Sequence, residues 1–362
     1  MDLLLSFFIQ NYVLLIMLAG ITILTFFDVF LDRSKIKRLR LMLVLLFVLT
    51  VFDHLEIYTS TLAPSQNVIM FRTLLSALCY SLRPVIVMML VFITYRKASL
   101  LITIPAIVNV IAAFSAFFTN IVFTILPTNV YSRGPLGFTP YVVSLLYVAG
   151  LFLVSFRVLA KRSFEEGAIT MLLAFTASIA ALLTALEYKV DINLTYGAEI
   201  LLYYLYAYGQ YTKRDALTGL LNRQSFYSDI EKRSGSITGV ISIDMNELKW
   251  LNDNLGHSAG DKALKAVSAA FMRSAAAKER IYRIGGDEFV TLCRGRTAGE
   301  MEQLVADMRS AVSETGYSCA FGLSTDGSIE EMIKEADALM YEDKAKIKAE
   351  ILENGGVLHP RG

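Results

Sequence analysis

Cysteine, histidine and tryptophan are all scarce in this chain: three, three and one among 362 residues. Cys79, Cys293 and Cys319 are odd in number and far apart, one in a long apolar segment and two in predicted strands. This excludes a disulfide framework and reads as small buried side chains in a reducing compartment. His54, His257 and His359 show no spacing suited to a histidine-ligated metal. A dominant charge is missing too. The net charge is +1, and the part after residue 212 holds 20 basic against 23 acidic residues, so it has no basic stripe for nucleic acid. Repeats, low-complexity tracts and a flexible linker between halves are also lacking.

Apolar residues are what the chain has in excess. They make up 55% of it, with a mean hydropathy of +0.51, and the excess lies in residues 1–212. Seven segments there, near 8–31, 41–60, 71–95, 98–126, 139–160, 167–188 and 194–212, are each long enough to cross ~30 Å of hydrocarbon. The first is too long, and lacks the basic start, for a cleaved signal peptide. Basic residues sort to one side. Arg33, Lys35, Lys37, Arg38, Arg40, Arg96, Lys97, Lys161, Arg162, Lys213 and Arg214 lie on alternate connections, and the others hold only Arg133 and Lys189. The positive-inside rule then predicts an inner (plasma) membrane protein in the lipid bilayer, amino terminus outside and carboxyl-terminal domain cytoplasmic. Six tyrosines between Tyr196 and Tyr211 make the seventh span the one that also suits an interfacial position.

The rest of the chain has a different pattern. Gly285-Gly286-Asp287-Glu288-Phe289 sits between two apolar runs, Arg280–Ile284 and Phe289–Cys293, which predicts a β-hairpin. Two glycines let the backbone turn tightly and approach a bulky anion, and the carboxylates that follow are hard ligands for a divalent cation on a phosphate. Alone, such a turn is most often an ordinary hairpin with solvated acids. Upstream, the β-branched run Ile237–Ile243 predicts a buried strand ending on Asp244, whose carboxylate is expected to face outward. Ligands gather at the carboxyl ends of strands in open sheets, so Asp244 and Asp287 are expected to converge on one metal pair. Then come Lys249, a point charge for phosphate, and Asn252 and Asp261, acceptors for the donor groups of guanine, with His257 between them.

This ordered set resembles the GGDEF family of diguanylate cyclases, over about residues 213–355. Asp215-Ala-Leu-Thr-Gly-Leu-Leu-Asn-Arg223 is similar to the family's opening motif. Ser318–Ser324 is similar to its late central strand, and Ala336–Tyr341 with Lys344 and Lys348 to its last helix. The resemblance implies a ferredoxin-like α+β cytoplasmic domain of nucleotide-cyclase type, joined to a multi-span α-helical membrane domain at 1–212, with a tail at 356–362. It implies condensation of two GTP into cyclic di-GMP with release of pyrophosphate, on Mg2+ or Mn2+. Asp244, Asp287, Glu288 and the Met245 carbonyl become metal ligands, and Asp287 and Glu288 the catalytic acids. Lys249, Asn252, His257, Asp261, Lys344 and Lys348 become substrate-binding residues, and Asp215 and Arg223 fix the opening turn. Because each domain holds one GTP, a homodimer is implied, with downstream receptors for the product. The chain departs from the family at Asn246 and Leu248, and at Ala276-Ala277-Lys278-Glu279, where many members carry the Arg-x-x-Asp of product inhibition.

Polar residues within the spans mark candidate input groups: His54, Glu56 and Glu199 at similar depth, and Arg83 beside Pro84. Asp28 and Arg157 are expected to snorkel, and Arg72 and Glu187 to snorkel or pair locally. The reading is therefore a membrane sensor regulating a cyclase. A catalytically silent GGDEF domain serving as a GTP-binding receptor or scaffold is the alternative, and a transporter with a regulatory tail is a third class without duplicated or broken spans to support it.

Overall fold

The computed structural model describes the chain except for residues 1, 28–32, 95–98, 162–163, 187, 189, 276–278 and 354–362. Asp28, Arg96, Lys97, Arg162, Glu187, Lys189, Ala276, Ala277, Lys278 and His359 therefore lie outside the described residues, as do the side chains of Arg157 and Lys161. Two compact units result, Met1–Tyr208 and Gly209–Gly362.

The first unit is helical: α1 (Leu3–Phe27), α2 (Arg33–Ser60), α3 (Gln66–Thr94), α4 (Ile104–Phe114), α5 (Thr139–Lys161), α6 (Phe164–Ala185) and α7 (Ile192–Thr212). Among the described residues, six helices are long and apolar enough to cross a membrane by length and composition, which suggests a membrane-anchored protein. Their outward faces carry large apolar side chains such as Phe8, Ile16, Val44 and Leu146, while Leu14, Met42, Leu46, Ile86 and Ile200 close the interior. Expected and observed spans differ twice. The fourth is 18 residues, Leu100–Phe117, and the chain then turns into an antiparallel hairpin of β1 (Phe123–Ile125) and β2 (Tyr131–Arg133) in place of continued helix to 126. The seventh segment is helical but is not among the six, because its tyrosines, Asn193 and Glu199 lower its hydropathy.

Pro84 illustrates how α3 tolerates a helix breaker. Proline has no N–H, which frees the carbonyl four residues earlier. The Asn109 side chain of α4 donates to that Tyr80 carbonyl at 2.9 Å, so the break is repaired by a neighbouring helix.

The second unit is α+β. Its elements run β3 (Leu221–Asn222), α8 (Arg223–Arg233), β4 (Gly239–Met245), α9 (Leu248–Leu255), α10 (His257–Ser274), β5 (Arg280–Arg283), β6 (Glu288–Cys293), α11 (Ala298–Ser313), β7 (Cys319–Ser324) and α12 (Ile329–Glu353). The sheet order is β3-β5-β6-β4-β7, with β4 antiparallel to both β6 and β7. Apart from the added β3, this is the order of a split βαβ, ferredoxin-like sheet, as expected. Period-two alternation then divides the side chains between two layers. Ile241, Ile243, Met245, Phe289 and Phe321 pack with α10 and α11, and Val240, Tyr282, Val290 and Leu292 pack with α8 and α12.

Two sequence expectations are corrected here. The strand similar to a late central one, β7, is an edge strand. β4 does not stop on an outward Asp244: it runs on to Met245, and Asp244 is 2% exposed, on the face covered by α12. Even-numbered residues of β4 share that face, so a helix lying across it encloses Asp244 as it encloses Val240.

Candidate active site

The register of β4 against β6 sets Asp244 opposite Glu288. One residue on, the Met245 N–H donates to the Asp287 carbonyl at 2.9 Å, so Asp244 and the signature turn meet although they are far apart in sequence. Glycines 285 and 286 are exposed at the tip, Asp287 is half-buried and Glu288 exposed. The tip is closed by Ile284 N–H to the Glu288 carbonyl at 2.9 Å.

Asp244 is not left alone in its buried position. Lys344 of α12, itself buried, donates from Nζ to Asp244 Oδ1. A buried carboxylate without a cation is costly, and this ammonium offsets it. α12 can approach closely because Gly322 of β7 has no side chain: a Cβ there would lie 2.0 Å from the Ala336 carbonyl oxygen and 2.3 Å from the Met340 nitrogen. Ser242 to Asp337, and Ser324 to Glu335 at 2.6 Å, extend this polar seam under the helix. Burial pushes the Cys319 thiol up, and Asp244 nearby adds to the rise.

The residues expected to read guanine come from the next segment. Glu247 adopts a left-handed conformation (φ 60°) before α9, which turns the chain off the sheet. Asn252 lies on α9, half-buried, and Asp261 on α10, exposed. A Cβ on Gly260 would fall 2.1 Å from Asn252 Oδ1, so Gly260 makes the space in which the Asn252 side chain lies against α10. Lys249, His257 and Lys348 are exposed.

One member of the site carried no signal of its own in the sequence. Arg283, the last residue of β5, donates from Nε and Nη2 to the Gly286 carbonyl at 3.2 and 2.9 Å, and from Nη1 to Asp215 Oδ1 at 3.0 Å. The opening motif and the signature turn are thereby clamped by one planar guanidinium. Asp215 also accepts from the Thr218 N–H at 2.9 Å and its hydroxyl at 2.6 Å. Burial acts to raise the Asp215 carboxyl, and the bonds from Thr218 and Arg283 outweigh it, holding it below the usual carboxylate range. Arg223, expected beside Asp215 in fixing that turn, begins α8 with its guanidinium 5.7 Å from the Tyr227 ring.

Residues 212–350 match the family model described as diguanylate cyclase, GGDEF domain. Over this stretch the chain is similar to GGDEF domains. The diguanylate cyclase DgcS of Shewanella oneidensis is 33% identical to the chain over 146 residues, 36% of this chain and 49% of that protein. The cyclic di-GMP phosphodiesterase PdeB of the same organism is 33% identical over 147 residues, 36% of this chain and 17% of its own length. A sensory box/GGDEF family protein from Caulobacter crescentus aligns in structure with a TM-score of 0.32 at 28% identity, over 37% of this chain and 99% of that one. The chain spans about half or less of the curated relatives named here.

A divalent cation is implied by the GGDEF domain. Among the described residues no group of three or more His, Cys, Asp or Glu side chains is arranged to hold a metal. A nucleotide-type Mg2+ site takes one or two carboxylates and completes its shell with phosphate oxygens and water. Asp244 and the Met245 carbonyl at the end of β4, and Asp287 in the turn before β6, are hard oxygen donors of that kind.

The candidate input residues separate. Glu56 and Arg83 face one cavity between α2 and α3. His54 contacts α1 instead, with Nε2 3.1 Å from Ser6 Oγ and its ring 5.2 Å from that of Phe7. Glu199 accepts from Thr176 of α6 at 3.0 Å. Arg72 pairs with Glu56 of α2 at 2.8 Å, one of the two outcomes expected of it.

Proposed function

We propose that the chain is a membrane-bound diguanylate cyclase that joins two GTP molecules into cyclic di-GMP and releases pyrophosphate, with the GGDEF domain in the cytoplasm and the helical unit, crossing the bilayer seven times, as its regulator. The observation that carries this reading is the β4–β6 register, which sets Asp244 beside the Asp287 turn within the stretch that matches the GGDEF model.

Asp244, Asp287 and the Met245 carbonyl would hold Mg2+, and Glu288 would add a further acid. The cation, when bound, supplies positive charge against the phosphates. Lys249 and Lys348, from the exposed rim, attract the triphosphate. Asn252 and Asp261 orient the guanine by accepting from its N1 and N2 groups. Asp287 takes the proton of the ribose 3′-hydroxyl as that oxygen attacks the α-phosphate of a second nucleotide. One domain holds one GTP, so two copies must face each other, and the working form is a homodimer. Positioning and charge provide most of the rate in such a transfer.

The test uses full-length protein in lipid nanodiscs with GTP and Mg2+, products identified by mass. The expected product is cyclic di-GMP, lost at least ~100-fold in Asp287→Ala because a metal ligand and proton acceptor is removed. GTP binding without turnover in the parent protein would favour a receptor or scaffold. Unchanged turnover in the variant would remove Asp287 from the chemistry.

A further inference from the structure

An edge strand presents alternate N–H groups that no neighbouring strand receives. β7 is such a strand, and on its open side the Phe321 N–H donates to the carboxylate of Asp343 on α12, at 2.8 Å to Oδ2. The same oxygen accepts from Arg309 Nη2 of α11, also at 2.8 Å. Arg309 in turn lies over the Phe321 ring, its guanidinium carbon 4.9 Å from the centroid. One carboxylate thus ties α11, β7 and α12 together. Phe321 is a firm anchor for it, being buried, paired opposite Ile243 of β4 and in edge-to-face contact with the Phe271 ring.

The place of Asp343 along α12 gives this tie its consequence. The inward face of the helix runs Ile329, Met332, Ala336, Met340 and Lys344. Up to Met340, α12 is seated on the sheet by the close approach at Gly322 and by Glu335 and Asp337, which accept from Ser324 and Ser242. Beyond Met340 it is held by Asp343, immediately before Lys344. The Lys344 ammonium sits on a flexible four-carbon stem, so where Nζ comes to rest depends on how that turn of helix is placed. Nζ reaches Asp244, the metal-binding carboxylate of the proposed cyclase. As an ion pair alone, Arg309 and Asp343 would hold little, since their side chains are 43% and 23% exposed and solvent screens them. A surface pair does not explain the shared bond to the Phe321 backbone, next to Ala320, which lies opposite Asp244.

We propose, on the cyclase reading above, that Asp343 is a positioning residue for the reaction. Braced by Arg309 and bound to the Phe321 N–H, it fixes the turn of α12 that carries Lys344, and so keeps the Lys344 ammonium on Asp244.

The test follows Lys344 itself. Full-length protein in nanodiscs, without GTP, is treated with limiting acetic anhydride, and acetylation of Lys344 is timed by mass spectrometry beside that of exposed Lys348. Lys344, buried and paired, should label slowly in the parent. In Asp343→Ala its rate should rise roughly fivefold or more through local opening of α12, with Lys348 unchanged. Asp343→Asn keeps an acceptor for the Phe321 N–H, and Arg309→Gln leaves that bond in place. Both should fall between the parent and the alanine variant, and they carry the test if the alanine variant does not fold. With GTP and Mg2+, kcat of Asp343→Ala should fall roughly tenfold and the KM for GTP should change little, because Asn252 and Asp261 lie on other helices. Labelling of Lys344 at the parent rate in the folded variants, a rise matched at Lys348, or parent kcat in Asp343→Ala would overturn the proposal. A parent protein without cyclase activity would remove the cyclase reading alone, since labelling still decides whether Asp343 holds Lys344 in place.

Discussion

Replacing Arg283 by alanine removes one side chain that touches no substrate in the proposed mechanism, yet its effect on catalysis should be large. The guanidinium holds the Gly286 carbonyl with two N–H groups and Asp215 with a third. The Arg283–Asp215 pair has side-chain exposures of 14% and 25%, so solvent screens part of the interaction. Hydrogen bonds to a charged group contribute ~1.5–3 kcal/mol each when unscreened, and the screened set is worth about 2 kcal/mol. The second unit encloses its own cores, so a fragment from Gly209 onward suits the stability measurement. Its Tm should fall by roughly 4–8 °C. Freed of the clamp, the signature turn no longer holds Asp287 in place, and cyclase activity of the full-length protein should drop roughly 10- to 100-fold. Arg283→Lys, a point charge on a flexible stem, should recover only part of either loss. A double-mutant cycle with Asp215→Asn should give a coupling of ~0.5 kcal/mol or more. The sign of its pH dependence follows from the lowered Asp215 carboxyl: the stabilisation is complete above the unfolded value near ~3.9 and lost as pH falls through the folded one. The stability gap between parent and Asp215→Asn should therefore close below about pH 4. Unchanged activity in Arg283→Ala, with a coupling indistinguishable from zero, would refute the clamp.

Gly322→Ala should destabilise the fragment by ~2–3 kcal/mol in urea titrations, since the new methyl meets α12 backbone that cannot rotate away. Gly260→Ala should leave stability level or slightly raised, alanine being the better helix former, while raising the KM for GTP about tenfold by displacing Asn252; an unchanged KM would detach Asn252 from guanine reading. ATP should be a poor substrate in competition with GTP, because adenine offers no donor at N1 to the Asp261 acceptor, and abundant mixed product would contradict this. Turnover should continue as cyclic di-GMP accumulates, since Glu279 is buried and spent on Arg296 and no arginine stands at position 276; noncompetitive inhibition at low product concentration would count against it.

Local patterns reached the parts of the site that lie close along the chain. Glycine pairs between β-branched runs have one economical conformation, so the turn at 285–288 and the strands flanking it were readable from residues alone, as was the helical character of the first 212. The burial of Asp244 was not. Whether a strand-end carboxylate meets water or a helix depends on where α12 lies, and that depends on Gly322, far along the chain. Arg283 was equally silent. Its partners, Asp215 and the Gly286 carbonyl, are neighbours only once β5 has paired with β3 and β6.

In the helical unit, hydropathy established that long apolar helices exist, because a run of about 20 apolar residues has few other stable fates. It failed where polarity and structure diverge: Phe123 and Ile125 are as apolar as a span but pair as a strand with Tyr131–Arg133. Depth along a span placed His54, Glu56 and Glu199 together, whereas helix rotation separates them, His54 toward α1 and Glu199 toward α6. Residue type and spacing thus determined what chemistry this chain carries and roughly where along it. Which carboxylate is enclosed, which arginine clamps the turn and which charges share a cavity were decided by tertiary packing alone, because each depends on the approach of segments that no local pattern relates.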